Sequence, residues 1–178
     1  MLNALTIEID DRFHLEFGRY EGRLMKNTIK ILEILDKFKV KATFFPLGWI
    51  AERCPRLIQE IHSRGHEIAC QGYTYKPIYS HSKEAFRKDV KKAKKILENI
   101  IGKAVIGYHA PAYSIPQKSL WPFQVLSEEG FKYHCSIYLM QNSNSPNGIP
   151  GTKNFIYNFL YDISVNGCGF IKEFPTWG

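Results

Sequence analysis

Short apolar runs alternate with segments of helical periodicity along the whole chain, and no other feature restricts the fold as strongly. The predicted strands are residues 4–9, 41–45, 66–70, 105–108 and 131–136. Between them, apolar residues recur three and four positions apart, which indicates amphipathic helices. Strands that alternate with helices favour an α/β domain with a mostly parallel sheet or barrel.

Four helices are predicted, at residues 27–38, 49–64, 82–101 and 119–129. The third has the clearest ends, because Ser82 is a favoured N-cap residue and Gly102 a favoured terminator. The lysines of this helix fall opposite its apolar residues, which predicts a solvated face and no nucleic-acid partner. Two further apolar segments follow, at residues 155–163 and 170–174.

Composition predicts one folded domain over residues 1–178. The chain is 44% hydrophobic and 14% aromatic, which is enough for a sizeable core, and its net charge is +7. It shows no basic start followed by a long apolar stretch, and no run long enough to span a membrane. Its four cysteines lack metal-site spacing, so reduced thiols are expected. Together these features predict a cytoplasmic protein.

Polar residues follow three of the predicted strands, at the ends where α/β folds place their functional groups. Glu8, Asp10 and Asp11 lie at the end of the first strand. Residues 71–75 follow the third strand, and His109 follows the fourth. We therefore expect these three segments to face one another across one mouth.

Five stretches carry, in matching order and spacing, the motifs of a known family. They read LTIEIDDRFH (5–14), ATFFPLGWIAE (42–52), GHEIA with GY (65–69 and 72–73), GY with AP (107–108 and 110–111) and EFP (173–175). In these stretches the chain resembles the polysaccharide deacetylases, the NodB-homology domains of carbohydrate esterase family 4, and specifically their cytoplasmic, exopolysaccharide-associated branch. The resemblance implies a distorted (β/α) barrel.

The same resemblance implies a metal-assisted reaction, the hydrolysis of N-acetyl groups on a cell-surface polysaccharide or its precursor. In that family one Asp and two His hold a divalent ion, usually zinc, which activates water and polarises the amide carbonyl. A second carboxylate acts as base, and an Arg of the fourth-strand motif orients it. A His from a C-terminal motif acts as acid.

The chain departs from this pattern at the positions on which the chemistry depends. Gln71 and Tyr75 stand where the family has its two histidine ligands, and His109 stands where it has the arginine. The first acid of the strand-one motif is Glu8, where Asp is usual. The chain ends at Gly178, so the resemblance implies that the acid histidine and the last barrel strands are missing. We expect an incomplete barrel and an impaired reaction, because losing members of a catalytic unit costs several powers of ten in rate.

Several roles stay open on the sequence alone. The catalytic candidates are Glu8, Asp10, Asp11 and His109. Asp10 and Asp11 either bind a cation or are solvated acids, and either of them or Glu8 corresponds to the family's metal ligand. His109 is either a recruited ligand or acid, or it fills the space of the arginine and hydrogen-bonds a carboxylate. No cofactor is expected, and the vestigial metal positions are Asp11, Gln71 and Tyr75.

An N-acetylated polysaccharide or its precursor is the expected partner. The candidates to line its cleft are His14, Tyr73, Tyr75 and Tyr113, because aromatic faces stack on sugar rings; packing under loops is the alternative. An open barrel also predicts a homodimer that covers the gap. Three functions remain: a deacetylase with a remodelled site, a pseudo-deacetylase that binds carbohydrate or serves as a scaffold, and a truncated gene product with no function of its own.

Overall fold

The computed structural model of the chain describes residues 4–10, 17–115, 119–136, 161–165 and 169–173. Up to residue 134, strands alternate with helical segments, as predicted. Their bounds are β1 (Thr6–Ile9), α1 (Phe17–Lys37), β2 (Thr43–Pro46), α2 (Gly48–Arg53), α3 (Pro55–Ser63), β3 (Glu67–Ile68), α4 (Lys83–Ile101), β4 (Gly107–Tyr108), α5 (Trp121–Glu128), β5 (Tyr133–His134), β6 (Tyr161–Val165) and β7 (Gly169–Glu173). Short 3₁₀ turns follow β3 and β4, at Ile78–Ser80 and Pro111–Tyr113. None of the helices described is both long enough and apolar enough to cross a membrane.

The strands form one mostly parallel series. β1, β2 and β3 pair in parallel in that order, and so do β4, β5 and β7. A parallel bridge between Cys70 and Tyr108 joins the two groups, and the Cys70 amide donates a hydrogen bond to the Gly107 carbonyl over 2.9 Å. β6 pairs antiparallel with β7. The described strands thus form the incomplete (β/α) barrel that the motifs imply.

Helix α4 forms because its sequence supplies both ends and one apolar face. Ser82 Oγ accepts a hydrogen bond from the Ala85 amide over 3.2 Å, and Gly102 ends the helix at a φ of +68°. Only a residue without a Cβ takes that left-handed conformation without strain. The buried face of the helix consists of Phe86, Val90, Ala93 and Leu97. The predicted bounds of this helix are confirmed.

Aromatic side chains fix the core between the sheet and the helices. Phe86 of α4 meets the rings of Tyr108 and Trp121 edge-on, with centroids 5.9 and 5.6 Å apart. Tyr108 also meets Phe131, at 5.6 Å. Edge-to-face pairs of this kind add to the stabilisation that burial provides. They hold β4, and therefore the residue that follows it, against α4 and α5.

Two predicted helices differ from the structure. The helix predicted at residues 49–64 is two helices, α2 and α3, because Pro55 has no amide hydrogen and begins a new helix after Cys54. Helix α1 begins at Phe17 and not at residue 27. Ile34, an apolar residue within the predicted range, is 57% exposed.

Candidate functional site

Three polar side chains meet where β1, β3 and β4 end, as the sequence predicted for these segments. Gln71 Nε2 donates a hydrogen bond to Glu8 Oε2 over 2.5 Å, and His109 Nε2 lies 3.2 Å from Glu8 Oε1. Gln71 is fully buried and the His109 side chain is 3% exposed, whereas the Glu8 side chain is 34% exposed. One carboxylate that reaches solvent is therefore contacted from behind by two buried partners.

The ring of His109 is held from several sides. Its Nδ1 lies 2.5 Å from the Cys135 carbonyl, which can only accept, so Nδ1 carries the hydrogen. The ring of Tyr113 meets it edge-on with centroids 4.8 Å apart, and Phe45 lies at 5.6 Å. Nε2 then faces Glu8, but its approach is not aligned for a hydrogen bond. The two atoms are at ion-pair distance, and the contact is a salt bridge when the ring is protonated.

An aspartate of α4 fixes the loop that carries Gln71. Asp89 Oδ2 accepts a hydrogen bond from the Tyr73 amide over 2.7 Å, and its Oδ1 accepts one from Thr74 Oγ1 over 2.9 Å. Gly72, between Gln71 and Tyr73, has a φ of +94°, and a Cβ there would lie 2.7 Å from Asp89 Oδ2. Sequence reasoning missed Asp89, because it lies within the lysine run of α4. The sequence offered one indication of its role: Asp89 is an acid directly before Val90, a residue of the buried face of α4.

The loop after β4 holds an unusual backbone conformation. Ala112 and Tyr113 are consecutive non-glycine residues with φ of +52° and +50°. Such residues cost about 1–3 kcal/mol each and persist only where neighbouring contacts enforce them. The buried Ser114 Oγ supplies one such contact, since it accepts a hydrogen bond from the Ile78 amide over 2.8 Å. The result is that Tyr113 meets His109.

The three tyrosines predicted for the cleft lie in different surroundings. Tyr113 belongs to the site through its contact with His109. Tyr73 lies between α2 and α4, where its Oη donates a hydrogen bond to Glu52 over 2.6 Å and Lys92 Nζ stands 3.4 Å from its ring centroid. Tyr75 is half-buried and packs against the main core. The structure therefore brings Tyr113 into contact with His109 and places Tyr73 between Glu52 and Lys92.

The remaining predicted residues are only partly described. Asp10 follows β1 directly and is half-buried. Asp11 and His14 lie outside the described residues, so their roles stay predictions. The catalytic roles of Glu8, Asp10 and His109 also stay predictions, although the contacts among Glu8, Gln71 and His109 are now defined. The substrate-binding roles of Tyr73, Tyr75 and Tyr113 stay predictions as well.

The cysteine closest to this loop is not a nucleophile. Burial raises the pKa of Cys70 to about 12, so its thiol stays protonated at neutral pH. Its Sγ accepts a hydrogen bond from the Gly72 amide over 3.3 Å. Cys70 therefore supports the backbone of the loop and is unsuited to thiolate chemistry.

The family's zinc ligand set does not fit these positions. At the position that the motif resemblance assigns to one histidine stands Gln71, whose amide nitrogen donates to Glu8 and has no lone pair for an ion. At the other stands Tyr75, whose phenol would have to ionise first. Among the residues that the structure describes, no three His, Cys, Asp or Glu side chains converge on one point.

Comparison with known proteins identifies the family of the chain. The sequence model of one family, described as polysaccharide deacetylase, matches residues 13–134. The chain belongs to the polysaccharide deacetylase family. Its relatives include a peptidoglycan-N-acetylglucosamine deacetylase of Bacillus cereus, 33% identical over 84 residues that cover 47% of this chain and 30% of the relative. A peptidoglycan deacetylase of Helicobacter pylori is 30% identical over 119 residues, which cover 66% of this chain and 38% of the relative.

Solved structures of the deacetylase family share the fold. A polysaccharide deacetylase structure from Mycobacterium smegmatis matches with a TM-score of 0.75 and 25% identity, covering 97% of this chain and 57% of that one. A carbohydrate esterase family 4 pseudoenzyme from Bacillus anthracis matches with a TM-score of 0.62 and 21% identity, covering 74% and 41%. This deacetylase-family chain thus spans well under half of the two curated relatives and little more than half of the M. smegmatis chain.

Proposed function

We propose that this chain recognises an N-acetylated polysaccharide or its precursor, and that its hydrolysis of the N-acetyl group is strongly impaired. The contact between Gln71 and Glu8 carries the proposal, because an amide donor occupies a position where the family has a metal ligand. The two relatives named above act on peptidoglycan or its N-acetylglucosamine, as their names state, which supports this class of substrate.

Both carboxylate oxygens of Glu8 already have a polar neighbour within the site. One oxygen of Glu8 accepts from Gln71, and the other stands beside His109. An imidazole in place of the family's guanidinium offers one nitrogen to the carboxylate where a guanidinium offers a fork of donors. We expect a rate at least ~10³-fold below that of an intact site.

A wholly inactive pseudo-deacetylase, which binds carbohydrate or serves as a scaffold, is the second candidate. The B. anthracis neighbour is described as a pseudoenzyme of this fold, and a mutant of that protein has restored enzymatic activity. In that protein, substitution is therefore able to restore the activity. The same approach can be applied to this chain by substituting Gln71, Tyr75 and His109.

The test joins restoration with ligand binding. The triple variant Q71H/Y75H/H109R is expected to bind zinc, measured by calorimetry and by metal content after dialysis. An N-acetylglucosamine oligomer is expected to bind the wild type and to bind Y113A several-fold more weakly. Y79F serves as control, because Tyr79 is 65% exposed. If the triple variant binds no zinc, the assignment of the ligand positions is contradicted. If the wild type does not bind the oligomer, carbohydrate recognition is contradicted.

We further propose a homodimer that covers apolar surface near the start of the sheet. Leu5 and Val40 precede β1 and β2 and are 43% and 40% exposed, and Phe38 after α1 is 67% exposed. Burying exposed apolar side chains of this size against a second copy would be favourable. Sedimentation equilibrium tests this: the wild type should dimerise more tightly than F38S, and a monomer at all concentrations contradicts it.

We also propose a cytoplasmic location. Cys54, Cys70 and Cys135 are free and buried in the described part of the chain, which agrees with a reducing compartment. Cell fractionation of the tagged protein tests the proposal, and recovery outside the cytoplasm contradicts it.

A further inference from the structure

The outward face of α4 carries lysines that the described part of the chain leaves free. Lys88, Lys91 and Lys95 recur three and four positions apart, so they lie together on the side of the helix opposite its buried residues. All three are exposed, and within the described residues none of them makes a hydrogen bond or an ion pair. Lys92, which is also exposed, adds a fourth charge beside them. These four residues are the α4 lysine face.

The other basic residues of α4 are engaged with α5 and the turn that follows it. Arg87 pairs with Glu129 over 3.0 Å, and Lys94 Nζ donates to the Glu129 carbonyl over 2.7 Å. Lys83 Nζ donates to the Gln124 side chain over 2.8 Å. These contacts hold the helix in the domain. The charges of the α4 lysine face differ from them, because packing against α5 does not use them.

The acids of α4 leave this face positive as well. Asp89 is directed to the loop after β3, where it accepts a hydrogen bond from the Tyr73 amide. Glu98 accepts one from the Val105 amide over 3.0 Å. Glu84 is exposed but lies in the first turn, at one end of the face, where the helix dipole favours an acid. Four lysines therefore stand beside a single exposed carboxylate of the same helix.

The chemistry of the face indicates which partner it fits. An ammonium is a compact, hydrated charge and lacks the planar fork with which arginine binds one phosphate or carboxylate. Among the described residues, the large apolar side chains that are exposed all lie outside α4, so the face offers nothing to insert into a bilayer or to stack on bases. From Lys88 to Lys95 the face extends over about 10 Å. This length is close to the Debye length in physiological salt, so its charges act together on a facing surface.

We propose that the α4 lysine face docks this chain on a lipid surface that carries anionic headgroups. Clusters of roughly four to eight basic residues are attracted to such surfaces, and each lysine strengthens the partition about fivefold. The contact is peripheral, because it depends on charge and not on the insertion of apolar side chains. The proposal goes beyond the proposed function and does not rest on it.

Sedimentation of the full chain with vesicles tests the proposal. Vesicles of phosphatidylcholine with about one third phosphatidylserine should bind the wild type at low salt and release it at high salt. Vesicles of phosphatidylcholine alone should not bind it. The variant K88Q/K91Q/K95Q should bind the anionic vesicles at least ~10-fold more weakly than the wild type. Glutamine is nearly as good a helix former as lysine, so α4 should persist in this variant.

A matched control separates the α4 lysine face from the net charge of the chain. The variant K26Q/K30Q/K37Q removes the same charge from three exposed lysines of α1. Because these lysines lie on another helix, it should bind the anionic vesicles within about threefold of the wild type. A thermal melt of each variant shows whether it is folded. The single variant K91Q, expected to bind about fivefold more weakly, keeps the test informative if the triple α4 variant does not fold.

Each outcome decides the proposal. A loss confined to the α4 variants, together with release at high salt, supports it. Equal losses in the α4 and α1 triple variants overturn it, because binding then follows net charge alone. It is also overturned if the wild type fails to bind the anionic vesicles, or binds phosphatidylcholine alone equally well. Tighter binding to polyuridylate at the same phosphate concentration, lost in the α4 variants, would assign the face to a nucleic acid and overturn the lipid assignment.

Discussion

The loops after β3 and β4 carry the two buried partners of Glu8, and they are held in opposite ways. The β3 loop takes its positive φ at Gly72, where it costs little, and a charged acceptor from α4 fixes the following amides. The β4 loop takes positive φ at Ala112 and Tyr113, which both carry a Cβ, and depends on buried neighbours to stay there. Gln71 therefore lies on a segment whose backbone is unstrained and held by hydrogen bonds, whereas His109 lies next to a strained segment.

This difference has a consequence for mutations. Changes in the β3 loop remove favourable contacts or introduce collisions, so they can only destabilise it. Changes in the β4 loop can also relieve strain, so one of them is expected to stabilise the protein. Strain of this kind is typical of functional segments, where geometry is kept at the expense of stability.

The largest effect is expected for G72A. The new Cβ would stand 2.7 Å from Asp89 Oδ2 on a backbone with φ of +94°, so both strain and collision arise. We expect a loss of about 3 kcal/mol in the free energy of unfolding, measured in urea. G102A is the control, because Gly102 also has positive φ but nothing lies within 4 Å of its Cβ position. Equal losses in the two variants would rule out the collision with Asp89.

The next largest effect is expected for D89A. It leaves the amide of Tyr73 and the hydroxyl of Thr74 without their acceptor, which should cost about 2 kcal/mol in stability. D89N keeps one accepting oxygen and should lose about half as much. Hydrogen exchange at the Tyr73 amide should accelerate in D89A. An unchanged exchange rate would show that Asp89 does not hold this loop.

A smaller loss is expected for S114A. Without the Ser114 hydroxyl, the Ile78 amide is buried with no acceptor in its place, at a cost of about 1–2 kcal/mol. The neighbouring Ser80 is exposed, so S80A should change stability by less than about 0.5 kcal/mol. If both variants melt at the wild-type temperature, Ser114 does not support the strained turn.

The smallest effect has the opposite sign. A112G relieves a left-handed alanine at the φ of +52°, although glycine also makes the unfolded chain more flexible. We expect a net gain of about 0.5 kcal/mol in the free energy of unfolding. A loss of stability in A112G would mean that Ala112 is not strained, and the contrast between the two loops would then disappear.

The sequence predicts the scaffold better than the contacts within the site. The bounds of α4 follow from Ser82, Gly102 and a regular apolar face, which are local signals. The end of α2 before Pro55 could also have been predicted, because proline lacks the amide hydrogen that a helix interior needs. It was missed because the apolar periodicity continues on both sides of Pro55. The mostly parallel pairing was predictable because the predicted strands alternate with helices along the chain.

The site was predictable only to the level of which segments meet. The ends of three strands were expected to face one another, and Glu8, Gln71 and His109 do so. Their pairing depends on side-chain direction, which the sequence does not encode locally. Tyr73 shows this: its aromatic ring made it a candidate for the cleft, and its contacts with Glu52 and Lys92 between two helices could not be predicted from the sequence. Asp89 was missed because its partner atoms lie 15 and 16 residues away along the chain.

The central claim is that Gln71 and His109 have replaced the groups on which the family's hydrolysis depends. Acetate release from an N-acetylglucosamine oligomer, with zinc supplied and E8A assayed beside the wild type, tests this most directly. The account predicts that the wild type releases acetate at least ~10³-fold more slowly than a family deacetylase with an intact site does under the same conditions. Release within about tenfold of that enzyme's rate, and lost in E8A, would contradict the account and would show that the remodelled site still works as a deacetylase.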